Sequence, residues 1–192
     1  TIKVEIHSKE FGRIATQNAK NVILQKIREE ERRILYDQYY GMEKEVVTGI
    51  VQRVMGRNVS VNLGKADGIL SENEQVKGEE FEPTQRIKVY ILEVKETPKG
   101  PRILVSRTHP GLVKRLFESE VAEVRDGTVE IKSIAREAGS RTKIAVWSND
   151  PDVDPVGACV GMNGARVNSI VEELNGEKID IINWDDNPAI LI

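Results

Sequence analysis

Two glycines that flank two residues, in the stretch Gly161-Met162-Asn163-Gly164, are the feature of this sequence that best fits a chemical role. A glycine has no Cβ, so each one lets the chain turn tightly and lets another backbone come close. The residues on both sides have helical spacing, which predicts a turn leading into a helix that begins near Ala165. Free amide groups and the helix dipole at such a start favour an anion, and a nucleic-acid phosphate is the natural ligand.

A G-x-x-G sequence also occurs as a tight turn between two helices with no ligand. The residues around it must therefore indicate whether this one binds RNA. In RNA-binding KH domains a G-x-x-G loop clamps about four nucleotides. The Ile or Val positions that surround such loops are matched here by Val160, Val167 and Ile170. Around the loop we therefore expect RNA contacts from Gly161, Met162, Asn163, Gly164, Arg166, Arg136, Arg141 and Lys143.

Residues suited to catalysis or metal binding are scarce. The chain has two histidines and one cysteine, which excludes a cysteine–histidine metal cluster. The acidic stretch Asp150–Asp154 contains prolines and more simply caps the helix that follows it. No Walker-type or dinucleotide-binding loop is present. We expect no enzyme activity, no metal and no cofactor, and we expect Cys159 to be a buried structural thiol.

The charge is unevenly distributed along the chain. The net charge is −3, but residues 1–109 carry 19 basic and 16 acidic side chains, whereas residues 110–192 carry 9 and 15. RNA-binding domains are usually basic. Any RNA contact in the last part of the chain must therefore depend on local geometry rather than on overall charge.

The cellular setting is predicted from three observations. A single cysteine excludes an internal disulfide, which fits a reducing compartment. No apolar run is long enough to cross a bilayer. The opening residues TIKVEIHSKE lack the apolar core of a secretory signal. We expect a cytoplasmic monomer with no membrane contact.

The residue pattern divides the chain into three parts, of which the first covers residues 1–42. Alternating apolar residues in TIKVEIH predict a short strand, and a loop is expected between this strand and Gly12. From Arg13 to about Tyr40 the spacing becomes helical. The apolar positions that recur at spacings of three, four or seven are Ala15, Ala19, Val22, Ile23, Ile27, Ile34 and Leu35.

The second part, residues 43–108, contains several short runs with the alternation of strands. These are VVTGIVQRV, VSVNLG, GIL, RIKVYILEVKE and RILVS, separated by glycine and proline turns. Five strands in so short a segment predict a closed OB-type barrel, because closure removes exposed strand edges. Arg53, Arg57 and Lys65 lie near predicted strand ends, where we expect them to border an RNA-binding face.

The third part, residues 109–192, has the predicted order helix, strand, strand, helix, helix, strand. The whole chain is therefore predicted to be α+β, with a long helix, a five-stranded barrel and a final mixed domain. The element order of the third part matches a type II KH domain, which agrees with the G-x-x-G loop.

Over nearly its full length the sequence resembles the NusA family of bacterial transcription elongation factors. The matching stretches are FGRIATQNAKNVILQKIREEER, VTGIVQR, VNLGKADGIL, SRTHPGLVKRLFE, DGTVEIKSIARE, DPDVDPVGACVG and GEKIDIINW. The resemblance implies the end of a polymerase-binding N-terminal domain with its connecting helix, an S1-type barrel and a first KH domain. In this family the bulk of the N-terminal domain and a second KH domain lie outside the part represented here.

The resemblance also implies partners and a function. Members bind RNA polymerase, mainly through the N-terminal domain, and they bind nascent single-stranded RNA and other Nus-type transcription factors. They modulate pausing, termination and antitermination. Two departures weaken the expected RNA binding: the family loop usually reads G-P-K-G, with a lysine where Asn163 stands, and Ser60 stands where relatives often have tyrosine for base stacking.

Two other functions remain compatible with the residues. Exoribonucleases of the polynucleotide phosphorylase type also combine KH and S1 domains, so the chain could be an accessory region of an RNA-degrading or RNA-processing complex. Those enzymes place KH before the barrel, whereas here the barrel comes first. The acidic last part also suits a protein-interaction scaffold in which the KH domain no longer binds RNA.

Overall fold

A computed structural model describes residues 8–191, so the strand predicted for residues 1–7 lies outside the described part. Helix α1 spans Ser8–Tyr40. The predicted loop before Gly12 was wrong, because α1 already begins at Ser8, and the Gly12 carbonyl inside it accepts a hydrogen bond from Thr16 Oγ1 at 2.6 Å. Glycine is unfavourable in a helix by only about 1 kcal/mol, which a long helix tolerates.

The C-terminal end of α1 anchors the helix to the barrel. Leu35, Tyr36 and Tyr39 pack into the barrel's apolar core, and Tyr39 is buried. The Tyr39 hydroxyl donates to the Leu63 carbonyl at 3.1 Å and accepts from the Lys65 amide at 3.1 Å. The apolar residues farther upstream are exposed among the described residues, so the predicted stripe is covered only at its end; the exposed ones are Val22, Ile23, Ile27 and Ile34.

The predicted five-stranded barrel is confirmed. Its strands are β1 (Val46–Met55), β2 (Asn58–Asn62), β3 (Asp67–Leu70), β4 (Arg86–Thr97) and β5 (Gly100–Ser106). They close in the order β1-β2-β3-β5-β4, with β3 and β5 parallel and the other pairs antiparallel. Inward residues such as Val61, Ile91 and Val105 are fully buried, because alternate side chains of each strand point into the barrel.

The last part forms a three-stranded sheet, and most of its helices cover one face. Its elements are α2 (Pro110–Glu120), α3 (Ala122–Arg125), β6 (Val129–Glu137), β7 (Arg141–Ser148), α4 (Pro155–Val160), α5 (Ala165–Glu173), β8 (Lys178–Asn183) and α6 (Pro188–Leu191). The sheet order is β6-β7-β8, and β7 and β8 are parallel. Ile144 and Val146 of the sheet share a buried core with Phe117, Cys159 and Ile170 of the helices.

Polar and aromatic contacts pack the barrel against this second unit. Arg107, directly after β5, is buried and donates to the Lys88 carbonyl at 2.7 Å and to the Glu173 carbonyl at 3.0 Å. The ring of His109 stacks on Tyr90, with 4.5 Å between centroids and 5° between planes. The link between the two units is therefore a packed interface rather than a free joint.

Candidate nucleic-acid interface

The loop of residues 161–164, hereafter the GMNG loop, joins α4 to α5. Gly161 and Gly164 both have φ of 76°, and Asn163 has φ of 53°. Glycine adopts this left-handed region freely, and asparagine is among the few other residues that visit it readily. The sequence of the loop is thus matched to its backbone, which turns sharply and leaves Met162 86% exposed.

The four backbone amides from Met162 to Ala165 differ in their hydrogen bonding. The Gly164 amide donates to the Gly161 carbonyl at 3.2 Å, and the Ala165 amide donates to the Met162 carbonyl. Within residues 8–191, the amides of Met162 and Asn163 have no hydrogen-bond acceptor. The loop therefore presents two free N–H groups beside the positive end of α5, an arrangement suited to a phosphate.

The helix before the loop begins as the sequence predicts. Asp154 is the N-cap of α4, its Oδ1 accepts from the Val156 amide at 3.2 Å, and Pro155 follows at the first helical position. Among the described residues no group of three or more potential ligands could hold a metal ion. The stretch Asp150–Asp154 thus has a local structural role as the start of the helix that leads into the GMNG loop.

Arg166 is the predicted cation that lies closest to the loop. Its Nη1 donates to Glu123 Oε2 at 2.9 Å and to the Ala158 carbonyl at 2.7 Å. Its aliphatic stem lies against Gly161, where an added Cβ would come within 2.7 Å of Arg166 Cγ. Arg166 is therefore adjacent to the loop, with its guanidinium already engaged inside the protein.

Arg136 does not have the exposure that an RNA contact needs. Its side chain is 1% exposed, and its guanidinium donates to both carboxylate oxygens of Glu177 at 3.1–3.2 Å. Glu177 also accepts from Thr142 Oγ1 at 2.9 Å and from the Gly139 amide at 2.6 Å. The expected RNA contact from Arg136 was therefore wrong, because the residue belongs to a buried ion pair that holds the sheet to the turn after α5.

Arg141 and Lys143 lie on the opposite face of the sheet from the loop. Lys143 is exposed while Ile144 is buried beneath the helices, as the strand alternation predicts. Arg141 is also exposed, and its Nε lies 2.6 Å from Asp180 Oδ2. Because α4 and α5 cover the other face, the structure does not bring these two cations together with the GMNG loop.

The three predicted cations of the barrel are spread apart. Arg53 is exposed in β1 opposite Ser60, and Arg57 lies in the β1–β2 turn, 3.3 Å from Glu72. Lys65 lies in the loop after β2, at the other end of that strand. A five-residue strand is about 17 Å long, so Arg57 and Lys65 cannot contact the same phosphate.

The outer surface of β1, β2 and β3 lacks aromatic residues and mixes polar side chains with the exposed apolar residues Ile50, Val54 and Met55 of β1. Gln52 Nε2 donates to Asp67 Oδ1 at 3.1 Å, and Ser60 Oγ donates to Gln52 Oε1 at 3.0 Å. The Asp67 carboxylate repels phosphate, and without aromatic side chains the bases have no stacking platform. This face offers little for base stacking, and weak RNA binding by the chain stays a prediction.

One pair of cations on the barrel was not predicted from the sequence. Lys95 of β4 stands directly opposite Arg102 of β5, and both are exposed because the neighbouring Val94 and Ile103 point into the core. Like charges directly opposite each other are unfavourable, and Lys95 Nζ lies 3.3 Å from the exposed Glu93 Oε2, which offsets part of this repulsion. The register of β4 and β5 creates this pair, and no sequence spacing reveals it.

Cys159 is fully buried at the end of α4. Burial, followed by the nearby Glu123 carboxylate, raises the pKa of its thiol from 9.0 to about 11, against a smaller lowering by Arg166. A thiol with this pKa carries little thiolate near neutral pH, as a structural residue would.

Comparisons with known proteins match successive segments of the chain. Family models match residues 1–33 as a NusA N-terminal domain, residues 41–106 as an S1 RNA binding domain and residues 107–184 as a NusA-like first KH domain. The transcription termination/antitermination protein NusA of Bacillus subtilis is 56% identical over 188 residues, which cover 98% of this chain. The proteins of the same name from Halalkalibacterium halodurans and Thermus thermophilus are 54% and 45% identical over 98% and 97% of the chain.

The chain spans about half the length of these relatives: 51% of the Bacillus subtilis protein and 49% of each of the other two. The matched segments occur in the same order as the long helix, the barrel and the helix-covered sheet described above. Within residues 8–191 no helix has both the length and the apolar character of a membrane span.

Proposed function

We propose that this chain, which belongs to the NusA family, is the RNA-binding part of a transcription factor that holds nascent single-stranded RNA and modulates pausing, termination and antitermination. The relatives are named as termination/antitermination proteins, and the S1 and KH segments make up most of this chain. The proposal includes no catalytic step, since RNA binding itself accounts for the function.

The GMNG loop is the observation that carries the proposal. Its two free amides, the positive φ angles of Gly161 and Gly164 and the start of α5 together form a cradle for phosphate. A backbone cradle needs no net positive charge, which explains how a domain with an acidic balance binds RNA. The RNA-contacting residues that we propose are Gly161, Met162, Asn163, Gly164 and Arg166, with Arg53, Lys95 and Arg102 on the barrel.

We propose the same division of the chain as the sequence indicates. Residues 1–42 end the polymerase-binding domain, residues 43–108 form the S1-type barrel and residues 109–192 form the first KH domain. RNA polymerase is contacted mainly through the N-terminal domain, to which α1 belongs, and other Nus-type factors bind the same assembly. We propose that the protein acts as a cytoplasmic monomer.

Amide NMR titration with a labelled chain tests the proposal directly. A single-stranded RNA of about ten nucleotides is added at low salt, and shifts are expected first at the Met162 and Asn163 amides, because a phosphate oxygen accepts their hydrogen bonds. Shifts confined to the barrel, or no shifts at any RNA concentration, would contradict phosphate binding by the loop. Protection of the same surface by a partner protein instead of RNA would favour an interaction scaffold.

A further inference from the structure

Arg166 is the single cation between Val160 and Ile170, so it is the one charged side chain available to the GMNG loop from its own segment. Its guanidinium is shared between the Ala158 carbonyl at 2.7 Å and the Glu123 carboxylate at 2.9 Å. The side chains of Glu123 and Arg166 are each 35% exposed, so solvent and ligands reach both partners of the ion pair.

We propose that Glu123 competes with RNA phosphate for the Arg166 guanidinium and thereby limits the affinity of the GMNG loop. The inference rests on the proposed function, because it concerns the same loop and the same ligand. It adds a regulating residue that lies in α3, outside the loop segment, and that contacts Arg166.

The geometry allows the exchange without moving the loop. Both bonds come from Arg166 Nη1, which carries two hydrogens, so one hydrogen keeps the Ala158 carbonyl while a phosphate oxygen replaces Glu123 Oε2 as the acceptor of the other. The stem of Arg166 is held against Gly161, which keeps the guanidinium beside the loop in both states. An exposed ion pair is weak, so a phosphate that also accepts from two backbone amides displaces the carboxylate.

Glu123 lowers the affinity for RNA in two ways. Its carboxylate neutralises Arg166, and its negative charge repels a phosphate that approaches the loop. The charge of Glu123 also acts on Cys159 at this end of α4: Glu123 raises the pKa of the thiol, and Arg166 lowers it. Removing the charge of Glu123 should therefore release one cation and remove one repulsion.

A double-mutant cycle on the 192-residue chain tests the inference. Glu123→Gln, Arg166→Gln and the double variant are titrated with a labelled single-stranded RNA of about ten nucleotides at several salt concentrations. Glu123→Gln is expected to tighten binding about two- to fivefold and to steepen the salt slope by about 0.7. In the Arg166→Gln background the same change is expected to keep only the smaller gain that comes from removing the repulsion, so the effects of the two substitutions are not additive.

Glu120→Gln is the matched control, because it removes one negative charge near the end of α2, and Glu120 has no ion-pair partner among residues 8–191. Equal effects of Glu120→Gln and Glu123→Gln would overturn the inference, since they would reflect net charge alone. If Arg166→Gln does not fold, the Arg166 Nε–Hε NMR signal of the parent chain replaces the cycle. A shift of that signal when RNA is added supports the exchange, and an unchanged signal contradicts it.

The two proposals fail in distinguishable ways. Suppose that the parent chain binds RNA, that Gly164→Asp abolishes this binding and that Glu123→Gln leaves the affinity unchanged. This result would overturn the competition and leave the proposed function standing. Absence of RNA binding by both the parent and Glu123→Gln at low salt would overturn the proposed function, and the competition with it.

Discussion

Arg107 of the barrel binds Glu173, the last residue of α5, with 3.3 Å between Arg107 Nη1 and Glu173 Oε1. The same guanidinium binds Glu79 of the barrel, and the side chains of Arg107 and Glu79 are 2% and 4% exposed. The Lys88 amide also donates to Glu173 Oε1, at 3.1 Å. Because α5 begins directly after the GMNG loop, its far end fixes the loop relative to the barrel.

Replacing Arg107 should therefore destabilise the whole chain. In Arg107→Met the Glu79 carboxylate remains buried without its cation, and breaking a buried ion pair in this way costs about 3–5 kcal/mol. Urea unfolding followed by circular dichroism measures this loss. Arg57→Met is the control, because the exposed pair of Arg57 with Glu72 contributes below about 1 kcal/mol. Equal losses in the two variants would contradict the structural role of Arg107.

Asn163→Lys should strengthen RNA binding. The substitution places a cation at the tip of the GMNG loop, and we expect affinity for a short single-stranded RNA to rise about three- to tenfold at low salt. The salt slope should steepen by about 0.7, the value for one more phosphate contact. The control is Asn163→Met, which bears the same left-handed strain at this position without the charge. An equal gain in both variants would mean that charge at the loop does not matter.

Cys159 should make stability fall at high pH. The folded thiol has a pKa of about 11 against an ordinary value of 9.0, so the folded state disfavours the thiolate. The contribution of the thiol is complete below about pH 9 and is lost as pH rises towards 11. The difference in Tm between the parent chain and Cys159→Ala should therefore shrink over this range. A constant difference would show that the thiol is not protected in the folded state.

The sequence predicted the elements whose cause is local. Strand alternation identified the five barrel strands, and the paired glycines identified the turn between α4 and α5, because these patterns depend on residues close together in the chain. The capping role of Asp154 was predictable for the same reason. The start of α1 was placed too late, because the single glycine at position 12 does not end a long helix.

The sequence did not predict which cations are free. Arg136 and Glu177 are separated by 41 residues, and Arg166 and Glu123 by 43, so only the folded chain reveals that each pair is joined. The Lys95–Arg102 pair likewise depends on strand register. Residue type thus identified candidate phosphate ligands, while tertiary packing decided that Arg136 is buried and that Arg141 and Lys143 lie on the other face of the sheet.

The most direct test of phosphate binding by the GMNG loop is a salt titration of a labelled single-stranded RNA with Gly164→Asp and Gly164→Asn. Gly164 suits the test better than Gly161, because an added Cβ meets only Asn168 Nδ2 at 3.2 Å rather than the Arg166 stem. Aspartate and asparagine have nearly the same shape, both visit the left-handed region, and they differ in charge. We predict that Gly164→Asn retains most of the salt-dependent binding and that Gly164→Asp loses it. Equal affinity of the two folded variants would contradict phosphate binding at this loop.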